Sequence, residues 1–180
     1  SRGSVGEHEA SRRLKSELLS LIDGIFAASD GSARPVLILG TTNRPWDLDE
    51  AMRRRFERRI HMPLPDVAAR DEILKTYTRQ LKLSPELSDA RLRLLAEQLD
   101  GFSGADIQLV CRDAAMTPMR EVIEGKSPDE IVELQQRGCL DGEVTPEHFE
   151  RAVRRAQLTV SKATLRGFET WDKEHGSAST

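Results

Sequence analysis

Cysteine is scarce in this chain. Its two residues, Cys111 and Cys139, lie far apart, without CxxC spacing and without clustered histidines. That leaves no basis for a disulfide framework or a thiolate metal site, and fits buried or incidental thiols in a reducing compartment. Long apolar runs are also missing. No stretch approaches the length of a membrane span, and the first residues lack the apolar core of a signal peptide. Nor does one sign of charge dominate: 27 basic residues face 30 acidic ones, for a formal net charge of -3. There is thus no global electrostatic case for binding nucleic acid or a membrane surface. Aromatics make up only 4%, and no internal repeat is visible. What remains is a 180-residue, 32% charged sequence of soluble, helix-rich character, long enough for one substantial core or two small ones.

The most informative stretch runs from Val36 to Ile60, VLILGTTNRPWDLDEAMRRRFERRI. Val36, Leu37, Ile38 and Leu39 form an unbroken apolar run between Pro35 and Gly40, the pattern of a strand buried on both faces of a parallel sheet. Thr41, Thr42 and Asn43 stand at its carboxyl end, where open α/β sheets collect their ligand chemistry. A short helix capped by Asp47 or Asp49 follows and ends in Arg53, Arg54 and Arg55, before a second strand from Arg58 to Met62. Taken alone, the arginines read as a solvated helix end, since cations favour the negative pole of the helix dipole.

Helical periodicity governs nearly everything else. Ala10, Leu14, Leu18, Leu21 and Ile22 predict a helix over 7–23 that stops at Gly24, preceded by a loop at 1–6 and followed by another over 25–34. After Pro65, Asp66 caps a helix over 67–82 with Ile73, Leu74 and Tyr77 on its apolar side. A helix over 89–99 places Leu92, Leu95, Ala96 and Leu99 for packing. In GFSGADIQLVCRDAAMTPMR, Ser103 is an N-cap with Asp106 at capping-box spacing. Gly104 and Ala105 carry no bulk, so the helix N-terminus is open to an anion or to the polar edge of a ligand, while Ile107, Val110, Ala114 and Ala115 face inward. Ser127-Pro128 starts a short helix, Thr145-Pro146 another to about Gln157, and a last one runs over 161–175 with Leu165, Phe168 and Trp171.

TTNRPWDLDEAMRRRFERRI resembles the second region of homology of the AAA ATPases, in the form carried by the microtubule-severing and ESCRT-disassembling clade. The resemblance implies that Asn43 is the sensor orienting the attacking water, and that Arg54 and Arg55 are fingers reaching the nucleotide of a neighbouring subunit. GEHEASRRLKSELL is similar to the clade's second pore loop and the helix after it, which puts Arg2, Gly3, Glu7 and His8 near a central channel. GFSGADI resembles the sensor-two segment, so Ser103, Gly104 and Ala105 would line the nucleotide pocket; the sensor-two arginine of other branches is absent here. GKSPDEIVEL, VTPEHFERAV and WDKEHGSA look katanin-like, and 120–144 leaves no room for the β-domain inserted in the ESCRT-disassembling relatives. His175 stands where the family prefers Phe.

The resemblance implies an α/β fold: an incomplete AAA (P-loop) core with parallel strands over 1–65, an all-helical lid over 66–142, and the clade's C-terminal helices over 143–180. A P-loop ATPase also needs GxxxxGK[ST] to cradle phosphate and a strand-end acidic pair for Mg²⁺. Neither occurs in these 180 residues, which begin with Ser rather than Met and read from the start as mid-domain, as a fragment would. ATP and Mg²⁺ are therefore expected to be held mainly by an N-terminal half, with no metal site in this chain and no ATP turnover by it alone. The implied whole is a cytoplasmic, microtubule-associated ATPase: a homo-hexamer acting on tubulin, at the spindle or centrosome, with a possible regulatory subunit, no nucleic acid and no membrane span. The alternatives are an ESCRT-type or other AAA remodelling ATPase, or a truncated, non-catalytic assembly module.

Overall fold

The computed structural model describes residues 3–27 and 36–177. The chain divides into two units: Ser1–His61 together with Arg166–Thr180, and Met62–Leu165.

The first unit opens with α1, Gly3–Ala27, longer at both ends than its sequence pattern predicts. Residues 3–6, expected in a loop, are its first turn, and Gly24 lies inside it rather than after it. Glycine costs a helix about 1 kcal/mol but ends one only where the chain turns left-handed, and Gly24 has no positive φ. Of the loop expected over 25–34, residues 25–27 instead continue α1, and 28–34 lie outside the described residues. Residues 36–39 then run without strand pairing, with Val36 59%, Leu37 89% and Leu39 82% exposed. The second expected strand is likewise unpaired, and Ile60 and Met62 are exposed. Strands exist by pairing with neighbours, and the described residues offer no ladder to join. The same holds for α1, where Ile22 is buried but Leu14, Leu18 and Leu21 remain exposed. A 3-10 turn, Pro45–Asp47, leads to α2, Glu50–Arg55. Of the two candidate caps, Asp49 does the work, accepting from the Met52 amide at 2.8 Å.

The second unit carries the main core. Its helices are α3 (Val67–Thr78), α4 (Asp89–Gln98), α5 (Gly104–Ile123), α6 (Pro128–Gln136) and α7 (Pro146–Arg155). Leu74, Leu92, Leu95, Ala96, Leu99, Ile107, Val110, Ala114, Phe149 and Ala152 are all buried in one cluster, drawn from α3, α4, α5 and α7. Tyr77 departs from expectation and is exposed; Arg70 and Thr78 take inward positions on α3 instead. Thr78 is accommodated because its hydroxyl donates to the Leu74 carbonyl at 2.8 Å. Arg70 is accommodated by three acceptors: the Ala96 carbonyl at 2.8 Å, the Pro65 carbonyl at 2.9 Å and Asp100 Oδ1 at 3.2 Å. An isolated parallel bridge, Leu83 to Val144, ties the loop before α7 to the loop after α3. Beside it Gly142 presses on Pro118 so tightly that a Cβ there would lie 2.6 Å from Pro118 Cβ. The last helix, α8, is Lys162–His175.

Candidate functional site

In the first unit, Asn43 lies at the bend after residues 36–42, exposed to solvent. The Arg44 amide donates to Thr42 Oγ1 at 3.0 Å, and the Arg44 side chain pairs with Asp47, so the residues around Asn43 are bonded locally. Phe56 meets this segment from the other side: a Cβ at Gly40 would come within 3.2 Å of Phe56 Cζ. A methyl group there would oblige the ring to give by a few tenths of an ångström. That packing brings the segment leading to Asn43 against the residue that directly follows Arg54 and Arg55.

The two arginines are held differently. Arg54 is exposed and pairs one turn back with Glu50 at 2.5 Å, a surface contact of little weight. Arg55 is half-buried and more firmly placed, with Nε 2.7 Å from Asp23 Oδ1 and Nη2 2.6 Å from Oδ2 in a bidentate fork, and Nη1 donating to the Ala51 carbonyl at 3.0 Å. The hydrogen bonds from Arg55 hold the Asp23 carboxyl below its ordinary value, and Asp23 raises Arg55 in return. Sequence reasoning missed Asp23. It stands 32 positions before Arg55, and beside Gly24 it reads as nothing more than a helix end.

In the second unit, Ser103 and Asp106 form the capping box that their spacing predicts. The Ser103 amide and hydroxyl donate to Asp106 Oδ2 at 2.9 and 2.7 Å, and the Asp106 amide donates to Ser103 Oγ at 3.2 Å. The box satisfies those amides and leaves the amides of Gly104 and Ala105 facing outward from the first turn of α5. Burial alone would raise the Asp106 carboxyl, but donation from Ser103, with Thr159 close by, brings it below its ordinary value. Its Oδ1 is buried without full hydrogen-bond geometry to any partner. Arg2 lies outside the described residues. Gly3, Glu7 and His8 fall within α1, in the part whose side chains lie outside that description.

Comparison with known proteins gives these positions a context. Residues 1–64 match the family model for the ATPase family associated with various cellular activities (AAA), and residues 89–133 match that of the AAA+ lid domain. The A-like 1 form of the katanin p60 ATPase-containing subunit from Danio rerio is 47% identical over 178 residues, and its Homo sapiens counterpart is 47% identical over 179. In each case the match covers 98% of this chain and 36% of the relative, so the chain spans about a third of the curated relatives' length. Among solved structures, the FIGL-1 AAA domain in complex with ADP superposes with a TM-score of 0.79 at 35% identity, covering 94% of this chain and 54% of that one. A structure described under katanin self-assembly gives 0.73 at 33% identity, covering 92% and 54%. With two AAA models matched in order and whole-chain similarity to katanin-like proteins, this chain belongs to the AAA family of ATPases.

Proposed function

We propose that the chain supplies the water sensor, the trans-acting arginines and the lid of a katanin-like ATPase, which couples ATP hydrolysis in a hexameric ring to the severing of microtubules. The observation that carries this is the Arg54–Arg55 pair at the end of a capped helix, packed through Phe56 and Gly40 against the segment that ends in Asn43. The similarity to katanin-like proteins and to a structure concerned with katanin self-assembly supports the ring. The exposed apolar residues of 36–39 and of Ile60 and Met62 fit strands awaiting a parallel sheet completed by residues outside this chain. On this reading 1–65 is the closing half of the α/β core, 66–142 the lid and 143–180 the C-terminal helices. Arg2, Gly3, Glu7 and His8 border the channel. The whole works at microtubules.

ATP supplies the transferable phosphoryl group, and Mg²⁺ offsets its charge. Among the described residues no group of three His, Cys, Asp or Glu side chains converges as a metal site, and GxxxxGK[ST] is absent from the sequence. On this reading ATP and Mg²⁺ are held mainly by the N-terminal half of the core. What this chain can offer the nucleotide is the small, amide-bearing turn at Ser103, Gly104 and Ala105. The positive end of α5 is already answered by the buried Asp106 carboxylate, so the turn suits the neutral polar edge of a nucleotide better than its phosphates. Asn43 presents an amide to orient water. Arg54 and Arg55 donate to phosphoryl oxygens held by the next protomer of the ring, which is worth about 10³ to 10⁵ in rate.

The test is Arg54→Ala and Arg55→Ala in the full-length protein that carries this chain. Each should spare ATP binding and abolish substrate-stimulated hydrolysis. Mixing either with a protomer that has intact arginines but a disabled Mg²⁺-binding acidic pair should restore some turnover. A mixture that assembles into rings yet stays inactive would overturn the trans assignment.

A further inference from the structure

Helix α2 is six residues long, too short to hold itself in water, and its last carbonyls lack intrahelical partners. Arg59 answers them. Its Nε donates to the Phe56 carbonyl at 3.1 Å and its Nη2 to the Arg53 carbonyl at 3.4 Å. Its Nη1 leaves the helix and donates to the carbonyl of His175 at 2.8 Å. The main chain of Arg59 repeats the link: its amide donates to Ser177 Oγ at 3.0 Å, and the Ser177 amide returns to the Arg59 carbonyl at 3.0 Å. The Ser177 hydroxyl in turn donates to the Glu57 carbonyl at 3.3 Å. From the other side Arg53 Nη1 lies 3.2 Å from His175 Nε2; since arginine can only donate, the ring accepts there.

Residues 53, 57 and 59 bracket Arg54 and Arg55, and all three are fastened to residues 175–177. The fastening end is itself seated. Trp171 meets the His175 ring edge-on at 5.3 Å, and Phe168 packs on Trp46 at 5.1 Å and on His61 at 5.9 Å.

We propose that His175–Ser177 is a strut for the arginine-bearing helix, and that Arg59 and Ser177 are positioning residues that fix where Arg54 and Arg55 point. This deepens the function proposed above and rests on it. Misplacing a catalytic group by about 1 Å can cost on the order of 10²-fold in rate. Asp23 holds the Arg55 head group and Glu50 meets Arg54 at the surface, but neither contact fixes the backbone of a six-residue helix at its C-terminal end. Bonds to a segment anchored by two tryptophans and a phenylalanine do so.

Hydrogen exchange on the 180-residue chain tests the strut without reference to turnover. Ser177→Ala removes the two bonds its hydroxyl makes, each worth about fivefold in a local equilibrium. The amides of 53–59 should then exchange at least about tenfold faster, while those of α5 keep their rates. Arg59→Lys, which cannot make the three-way fork, should do the same more strongly; if it folds poorly, Ser177→Ala carries the test. Unchanged exchange at 53–59 in Ser177→Ala would overturn the proposal.

The second arm uses the full-length protein. Ser177→Ala should lower stimulated kcat by tenfold or more, with the KM for ATP and ring assembly retained. Full turnover in Ser177→Ala, alongside dead Arg54→Ala and Arg55→Ala, would show that the strut positions nothing and would sink the proposal. Should Arg54→Ala and Arg55→Ala both stay active, the arginine-finger reading falls together with the predicted loss of kcat. The exchange result then decides on its own whether the strut exists.

Discussion

Replacing Asp106 with alanine removes one half of a reciprocal cap and leaves the fold around it in place. Its carboxylate accepts from the Ser103 amide at 2.9 Å and hydroxyl at 2.7 Å, at the start of a 20-residue helix that forms the centre of the second unit. Losing an N-cap partner costs about 1 kcal/mol, and a hydrogen bond to a charged group about 1.5–3 kcal/mol. The two figures share atoms and do not add, so Asp106→Ala should destabilise the unit by about 2–3 kcal/mol. At about 4–8 °C per kcal/mol for a domain near this size, Tm should fall by roughly 10–20 °C. Asp106→Asn keeps an acceptor without the charge and should lose about half as much.

The effect should also depend on pH, with a definite sign. The folded carboxyl sits below its ordinary value. Its contribution is therefore complete above the unfolded value of about 3.9 and is lost as pH falls through the folded one. Urea melts of parent and variant at pH 7, 5 and 3.5 measure this. A gap below about 0.5 kcal/mol at pH 7, or one that fails to narrow at pH 3.5, would refute the role given to the cap.

Gly142→Ala should destabilise the second unit by about 1–3 kcal/mol in a urea melt, because the new methyl would lie 2.6 Å from Pro118 Cβ. Arg70→Met should cost about 2–4 kcal/mol, since it strands the Ala96 and Pro65 carbonyls that the buried guanidinium satisfies; a loss no greater than that of an exposed arginine such as Arg93 would count against this. Cys111 is buried, and burial pushes its thiol up to about 12, whereas Cys139 is exposed. A disulfide reagent at pH 8 should therefore titrate one thiol in the native chain and two in urea; two native thiols reacting at equal rates would contradict it.

Local chemistry was the part legible in advance. Asp66, Ser103 and Ser127 announce helix starts by side chains that bond within three residues, and each caps its helix as read. The apolar faces of α4 and α5 were equally plain, because three- and four-residue spacing forces those side chains to one side. The strand at 36–39 was legible as a pattern only. Its pairing depends on neighbours, and none of the described residues supplies one. Within the candidate site, Arg54 and Arg55 stood out through a motif, but the groups that hold their surroundings did not. Asp23, His175 and Ser177 meet that segment from 32 to more than 100 positions away, and nothing in their own flanking residues announces the bond.

The wide sequence gap between Arg59 and His175 has a further consequence, for synthesis. The 116 positions that separate them take a ribosome roughly 6–23 s to add at about 5–20 residues per second. The second unit is continuous in sequence, Met62–Leu165, and its helices can settle as they emerge, on contacts between near neighbours in the chain. The first unit cannot close until residues 175–177 are made. Throughout that interval residues 53–59 lack the bonds that His175 and Ser177 bring, so nascent chains should be most vulnerable to misassembly at that arginine-bearing segment.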